Sequence, residues 1–312
     1  MTSPAKNIYF LKLQEFYLPL AELESQSFFG FEISSDQRFV FSNEQVDISD
    51  SAFFDWGGEI MVQESNFEAY LEALKNAQVQ VCDARIETPS AGKHPKIKKD
   101  VLFEVLEYIE GTFNLSQPKE RYAICRDHEN WYFVKIFTEK SNRMFEHSKK
   151  PATFSSALNS ISARVAINIL KSAGPEFLDC GCGSGSLTLE ACYSGLKTTA
   201  IDRSAQAISM TSENLKHFNY SAEIHNKELK DWTSKHDSAV IDFPYGFSCT
   251  RDEEDELQNL SLLFPLVYQS VFFSSTDLRP QMKAIGYQIV NHKVMKYPNV
   301  TRHIIHAIAG RT

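Results

Sequence analysis

The apolar positions of the chain change rhythm near residue 150. Before that point, short alternating runs and short helical stripes follow one another without a fixed order. Ile8–Leu13 and Val79–Ile86 alternate as strands, and Ile60–Val62 predicts a shorter one. Leu18–Phe29 has helical spacing and stops at Gly30, a residue suited to the left-handed turn that closes a helix. Phe31–Phe41 alternates well enough for a strand or hairpin, and Phe67–Leu74 and Asp100–Ile109 carry helical stripes. Arg121–Cys125 and Trp131–Phe137 flank the turn Asp127–Asn130 as a last pair of strands. This half predicts an α+β domain over residues 1–140.

Ser141–Pro151 is polar, basic and proline-terminated, and residues 141–153 read as a linker. Beyond it the order becomes regular, in a second domain over 154–312. A helix over Ser155–Leu170 precedes the strand Phe177–Leu178, the helix Leu187–Ser194, the strand Thr198–Asp202 and the helix Ala205–Phe218. Ala222–Ile224 and Ser238–Asp242 follow as strands, then a helix over Glu253–Tyr268 and a strand over Ser270–Phe273. Tyr287–Val294 and Arg302–Ala309 predict a closing antiparallel pair. Strands alternating with helices imply right-handed crossovers and a parallel sheet, with ligands at the carboxyl ends of the strands.

Three of those ends carry chemistry. Asp179-Cys180-Gly181-Cys182-Gly183-Ser184-Gly185 is a glycine-rich turn between a strand and a helix. Such a turn lets the backbone approach a ligand closely, and the helix start favours polar or anionic atoms. Asp179 can bond a cofactor amino group or hold the loop. Asp202 lies seventeen positions after Gly185, near the distance at which a strand-end carboxylate grips ribose hydroxyls. Its other reading is a cap on the next helix. Asp242-Phe243-Pro244-Tyr245-Gly246 ends a third strand. A carboxylate and a backbone carbonyl there can accept the two hydrogens of an exocyclic amine, turning its delocalised lone pair toward a methyl donor. Tyr245 offers a face on which an unstacked base can rest. Together these point to a methyltransferase using S-adenosylmethionine, with positioning and electrostatics as its means.

Composition narrows the picture a little. A hydrophobic fraction of 43% and a charged fraction of 23% are those of a globular protein, and 312 residues allow two cores. No run is long and apolar enough for a membrane span, and no secretory signal is expected, so a cytoplasmic location is anticipated. The six cysteines match no zinc or disulfide spacing; Cys180 and Cys182 fall where a tight turn needs small residues, and no metal is expected. The net charge of −8 excludes a general basic coat and leaves Lys93–Lys99 and Lys149–Lys150 as local phosphate contacts or solvated faces. The acidic run Asp252–Glu256 reads as the first turn of a helix.

The second half resembles the amino-methyltransferases whose acceptor motif reads Asp/Asn-Pro-Pro-Tyr/Phe. The whole chain is similar to the tRNA guanine-N2 methyltransferases that carry an N-terminal THUMP domain. The narrower likeness rests on Ile8–Phe29, on Phe145–Asn168 with Pro151, Ser155, Ala163, Arg164 and Asn168, and on Asp242–Gly246. It implies a Rossmann-like methyltransferase domain behind an α+β, THUMP-like, RNA-capturing domain. By position, Asp179, Gly181, Gly183 and Gly185 would surround the methionine part of the cofactor. Asp202 would hold its ribose, and a residue near Glu228 would lie beside its adenine. Asp242, Phe243, Pro244 and Tyr245 would form the acceptor site for a guanosine amino group in tRNA. Phe243 replaces the family's first proline, keeping the carbonyl but exchanging a rigid ring for a bulky one. RNA is the expected partner, and a small activating protein is compatible with the likeness. Methylation of adenine in ribosomal RNA or DNA, and a catalytically impaired RNA-binding or scaffold paralogue, are the alternatives.

Overall fold

A computed structural model describes residues 5–89, 96–244, 253–297 and 301–310. The chain forms two compact units. The first comprises residues up to Gln14 together with Ile33–Lys140, and the second Glu15–Glu32 together with Ser141 onward.

Along the first unit run β1 (Asn7–Leu11), β2 (Phe39–Ser42), β3 (Phe54–Glu64), α2 (Phe67–Ala77), β4 (Gln80–Glu87), α3 (Lys99–Leu106), β5 (Glu110–Phe113), β6 (Glu120–Arg126) and β7 (Trp131–Glu139); α1 (Leu18–Phe29), between β1 and β2, belongs to the second unit. The strands make one seven-stranded sheet in the order β2-β1-β3-β7-β6-β4-β5. β4 lies parallel to both neighbours, and the other pairs are antiparallel. α2 begins where Asn66 accepts the Ala69 amide at 2.8 Å, and it buries Tyr70, Leu71 and Leu74 against Val81, Ile124 and Phe133.

The second unit continues with α4 (Arg143–His147), α5 (Ser160–Leu170), β8 (Glu176–Cys180), α6 (Ser186–Tyr193), β9 (Lys197–Asp202), α7 (Ala205–Phe218), β10 (Glu223–Asn226), β11 (His236–Asp242), α8 (Glu253–Leu263), β12 (Val267–Ser274), α9 (Arg279–Ile285), β13 (Tyr287–Lys296) and β14 (Thr301–Ala309). Its sheet runs β10-β9-β8-β11-β12-β14-β13. The first five strands are parallel, and β14 inserts antiparallel between β12 and β13. The predicted closing pair is present, in that reversed position. β8 and β11 are buried on both faces, as central parallel strands must be. Leu178, Ala239, Ile241 and Phe272 pack against Leu260, Leu263 and Met282 of α8 and α9. Asp179, on the opposite face of β8, meets Thr188 of α6.

Several boundaries differ from the sequence reading. The helix expected from Ser155 starts at Ser160, where Asn159 accepts the Ser162 amide at 2.9 Å. The helix expected to reach Tyr268 stops at Leu263, because Pro265 disfavours helix in the residue before it. The helix Leu18–Phe29 lies within residues 1–140 but packs in the second unit. Its buried Glu24 needs polar partners, and the Asn168 amide of α5 donates to it at 2.9 Å. Among the described residues, no helix is long and apolar enough to cross a membrane.

Under the second sheet lies a buried ionic knot. Glu190 of α6 receives Arg164 of α5 and, at 2.9 Å, Nδ1 of His147 from α4, while Nε2 of His147 meets the Tyr220 hydroxyl at 3.1 Å. The Arg164 guanidinium also stacks on Tyr193. Arg164 and Glu190 are both fully buried, so removing one leaves an uncompensated charge. Glu190→Ala is expected to lower stability by about 3–5 kcal/mol. Urea unfolding checks this as a fall in midpoint with an unchanged slope.

Candidate active site

Parallel pairing sets Cys180 beside Ile241, so the chain leaves β8 at Gly181 and β11 at Asp242 as neighbours. The glycine turn follows at once. Gly181, Gly183 and Gly185 have φ of 81°, 56° and 76°, in the left-handed region that side chains resist. A Cβ on Gly181 or Gly183 would stand in open space, whereas one on Gly185 would reach 3.0 Å from Thr211. The first two glycines therefore line an opening, and the third packs against a helix.

The turn is held from beneath by β9 and α7. The Gly181 and Cys182 amides donate to the Ile201 carbonyl at 2.8 and 3.0 Å. Thr211 Oγ1 donates to the Gly183 carbonyl at 3.0 Å, and Asn214 Nδ2 to the Ser184 carbonyl at 2.8 Å. Asp202 takes the Gly183 amide on one carboxylate oxygen at 2.9 Å and the Ser204 amide on the other at 2.8 Å. The helix cap considered for Asp202 is made by Ser204 instead, which accepts the Ala207 amide at 3.3 Å. A carboxylate has about four acceptor positions, so these bonds leave room for further donors.

Two clefts meet at this edge. The larger, about 310 Å³, is lined by Gly181, Asp202, Glu228, Leu229, Ile241 and Asn259 among others. The smaller, about 170 Å³, lies toward Phe154, Ser156, Leu158, Gly183 and Ser184. Gly181, Asp242, Phe243 and Pro244 line both. Of the residues singled out in the sequence, Gly181, Asp202, Glu228, Asp242, Phe243 and Pro244 thus converge on the larger cleft, and Gly183 on the smaller. Tyr245 and Gly246 lie outside the described residues. Glu228 pairs with Lys230, which holds its carboxyl below the usual range. The acidic start of α8 contributes Asp255 and Glu256 to the larger cleft.

Asp179 is fully buried and faces neither cleft. Its Oδ2 accepts Thr188 Oγ1 at 2.6 Å, while Oδ1 is buried and has no hydrogen-bond partner among the described residues. Burial pushes its carboxyl up to about 7, with Thr188 opposing and the charges of Asp202 and Asp242 adding to the rise. Burial also pushes the Cys180 and Cys182 thiols up, away from the thiolate form that metal binding or redox chemistry needs.

Phe243 settles into the core. Its ring is 2% exposed and lies near-parallel to that of Phe272, with centroids 6.4 Å apart, so the bulk expected in the acceptor pocket is turned inward.

Arg302, absent from the sequence reading, reaches this point from β14. Its Nη2 contacts Asp242 Oδ1, and Nη1 donates to the Phe243 carbonyl at 3.4 Å. Burial raises the Asp242 carboxyl, against the pull of this guanidinium. Sixty positions separate the two residues, and no spacing rule links them. Asp277, His292 and His303 also gather, with ligand atoms within 4.8 Å of one another. There Arg279 grips Asp277 at 2.7 and 2.9 Å and the imidazoles bond each other at 3.0 Å, so the group is satisfied without an ion.

Sheet order, glycine turn and strand-end acidic residues define a Rossmann-like methyltransferase fold behind an α+β unit. The family described as Conserved hypothetical protein 95 matches residues 156–302. A tRNA (guanine(10)-N2)-dimethyltransferase of Methanothermobacter thermautotrophicus is 30% identical over 126 residues, 39% of this chain and 37% of that protein. A protein of Methanobrevibacter smithii named Probable cobalt-precorrin-6B C(15)-methyltransferase (decarboxylating) is 44% identical over 57 residues, 17% of this chain and 30% of its own. The chain thus spans about a third of the length of these curated relatives. In fold it is similar to TrmN from Thermus thermophilus, with TM-score 0.50 and 15% identity over 97% of this chain and 99% of that one. Of these relatives, the Methanothermobacter thermautotrophicus protein is the one whose name agrees with the resemblance that the motifs carry.

The raised Asp179 carboxyl has a consequence for stability. Below about pH 4 the group is protonated in both the folded and unfolded chain, and the folded state carries no penalty. As pH rises toward 7 the unfolded chain releases its proton first, so stability falls. Asp179→Asn removes that component. Its urea midpoint relative to wild type is expected to be higher at pH 8 than at pH 4.

Proposed function

We propose that the protein is an S-adenosylmethionine-dependent RNA methyltransferase acting on the exocyclic amino group of a guanosine in tRNA. The observation that carries this reading is the meeting of Gly181 with the Asp242 carboxylate and the Phe243 carbonyl where two clefts join. A glycine turn open to a ligand on one strand and a pair of amine acceptors on the next is the arrangement methyl transfer to nitrogen requires.

The residues present fit the donor. Gly181 and Gly183 offer backbone at an opening that any Cβ would obstruct, and Asp202 retains acceptor capacity for ribose hydroxyls. Glu228 and Leu229 lie along the same cleft, on the side that would take the adenine. Gly185 and Asp179 act from beneath, the first packing the turn on α7 and the second anchoring α6. When bound, S-adenosylmethionine supplies a methyl group on a positively charged sulfur, whose S–C bond breaks toward sulfur as the N–C bond forms. Asp242 and the Phe243 carbonyl would accept the two amine hydrogens and free the nitrogen lone pair for attack. The amine then gives up one proton, to Asp242 or by way of it to water. Pro244 stiffens the loop, and Tyr245 would stack on the base. No covalent enzyme intermediate enters; the rate comes from orientation, which can contribute roughly 7–11 kcal/mol.

The relatives support the two halves unequally. One is named for a guanine amino group in tRNA and the other for a ring carbon of a precorrin, so what the two names have in common is methyl transfer and not the acceptor. The tRNA assignment therefore leans on the acceptor motif and the first relative. The unit ending at Lys140 is assigned, as a THUMP-like domain, to RNA capture in the cytoplasm.

The test is transfer of a radiolabelled methyl group to total tRNA, ribosomal RNA or DNA, with the product nucleoside identified by mass spectrometry. Label is expected in tRNA as N2-methylguanosine, with Asp242→Ala lowering the rate roughly 100–1,000-fold. N6-methyladenosine would move the acceptor to adenine. S-adenosylmethionine binding without transfer would mark an impaired paralogue.

A further inference from the structure

Arg302 is 4% exposed, and a buried guanidinium needs partners that match it. Its strand, β14, is not adjacent to the acceptor strand: β12 lies between them. The side chain crosses β12 with its guanidinium 5.9 Å from the centre of the Phe273 ring, and it arrives at Asp242 and Phe243. Phe273 is itself the residue paired with Asp242 in the sheet, and its carbonyl accepts the Phe243 amide at 3.0 Å.

We propose that Arg302 is the positioning residue of the acceptor site, tying the Asp242 carboxylate and the Phe243 carbonyl to one guanidinium so that both meet the amine at a fixed spacing. This rests on the reading of Asp242 as an amine acceptor. The bonds to Arg302 do not exhaust either group. A carboxylate has about four acceptor positions and a carbonyl two. Arg302 uses Oδ1 and one side of the carbonyl, and the Asp242 side chain keeps 16% exposure and lines both clefts. The arrangement also accounts for Phe243. With one proline in the segment instead of two, stiffness comes from the ring buried against Phe272 and from the guanidinium on the carbonyl. A planar fork can hold two acceptors at once, which an ammonium on a flexible stem cannot do with the same spacing.

The experiment compares wild type, Arg302→Gln, Arg302→Lys and Asp242→Asn in methyl transfer to tRNA from pH 5 to 9, with S-adenosylhomocysteine affinity measured alongside. Arg302→Gln is expected to lose roughly 100-fold in kcat, with KM for tRNA and S-adenosylhomocysteine affinity near wild type. Its acid limb should move to higher pH, because Asp242 loses the charge that favours its ionised form. The other charged groups around Asp242 are buried Asp179, which its charge reaches, and Asp202, Arg203, Lys227, Glu228, Lys230, Asp255 and Glu256 along the larger cleft, and these are unchanged in the variant. Arg302→Lys should return the acid limb while recovering only part of kcat. A merely structural ion pair would lower stability and move the acid limb but leave kcat on the pH plateau near wild type. Folded Arg302→Gln with wild-type kcat on that plateau would overturn the proposal; should that variant not fold, wild-type kcat in Arg302→Lys does the same. Activity retained by Asp242→Asn, or wild-type protein that methylates no RNA, would sink the reading beneath it, without recourse to any Arg302 variant.

Discussion

Cys180 and Ile241 pair across neighbouring parallel strands, and because both strands point the same way their next residues leave the sheet side by side. That pairing makes a site from two segments some sixty residues apart. One segment turns through three glycines into a helix. The other runs straight on, held by the Phe243 amide on the Phe273 carbonyl, and presents Asp242 and a backbone oxygen. The packing around β8 and β11 keeps the register from slipping, since a one-residue shift would turn Asp179 away from Thr188 and into the apolar cluster that holds Leu178, Ala239 and Ile241.

Three aspartates surround this edge and share a residue type but little else. Asp179 is sealed under the turn with one oxygen unpartnered among the described residues, and its carboxyl is raised to about 7. Asp202 bonds two loop amides, shaping the turn beside the ribose-holding part that the sequence suggested for it. Asp242 is paired with a buried arginine carried in from two strands away. Environment separates their parts: one anchors, one shapes, and the third is the one we propose as the amine acceptor.

The elements with strong periodicity and clear ends were legible from the sequence: the glycine turn, β9 with Asp202, α7 though not its cap, and β11 with its motif. What escaped had no local signal. β5 is four residues long and exposed throughout, so no alternation marks it. α9 is seven residues long with only Met282 buried. The stripe of α1 announces a helix but not its partner, and tertiary contacts such as Asn168 on buried Glu24 and Lys293 on Glu22 place it with the second unit. Arg302 sits in a run of alternating residues that reads as an edge of the sheet. Its role appears only once β14 is known to pair with β12. The ring of Phe243 reads as an obstacle in sequence, and its burial follows from the strand's facing.

The measurement that bears most directly on this account is a crystal structure with S-adenosylhomocysteine bound. The account predicts the ribose hydroxyls on Asp202, the amino-acid end along Gly181 and Gly183, and the sulfur facing the Asp242–Pro244 edge where the two clefts join. A ligand seated elsewhere, or no binding at millimolar concentration, would contradict it.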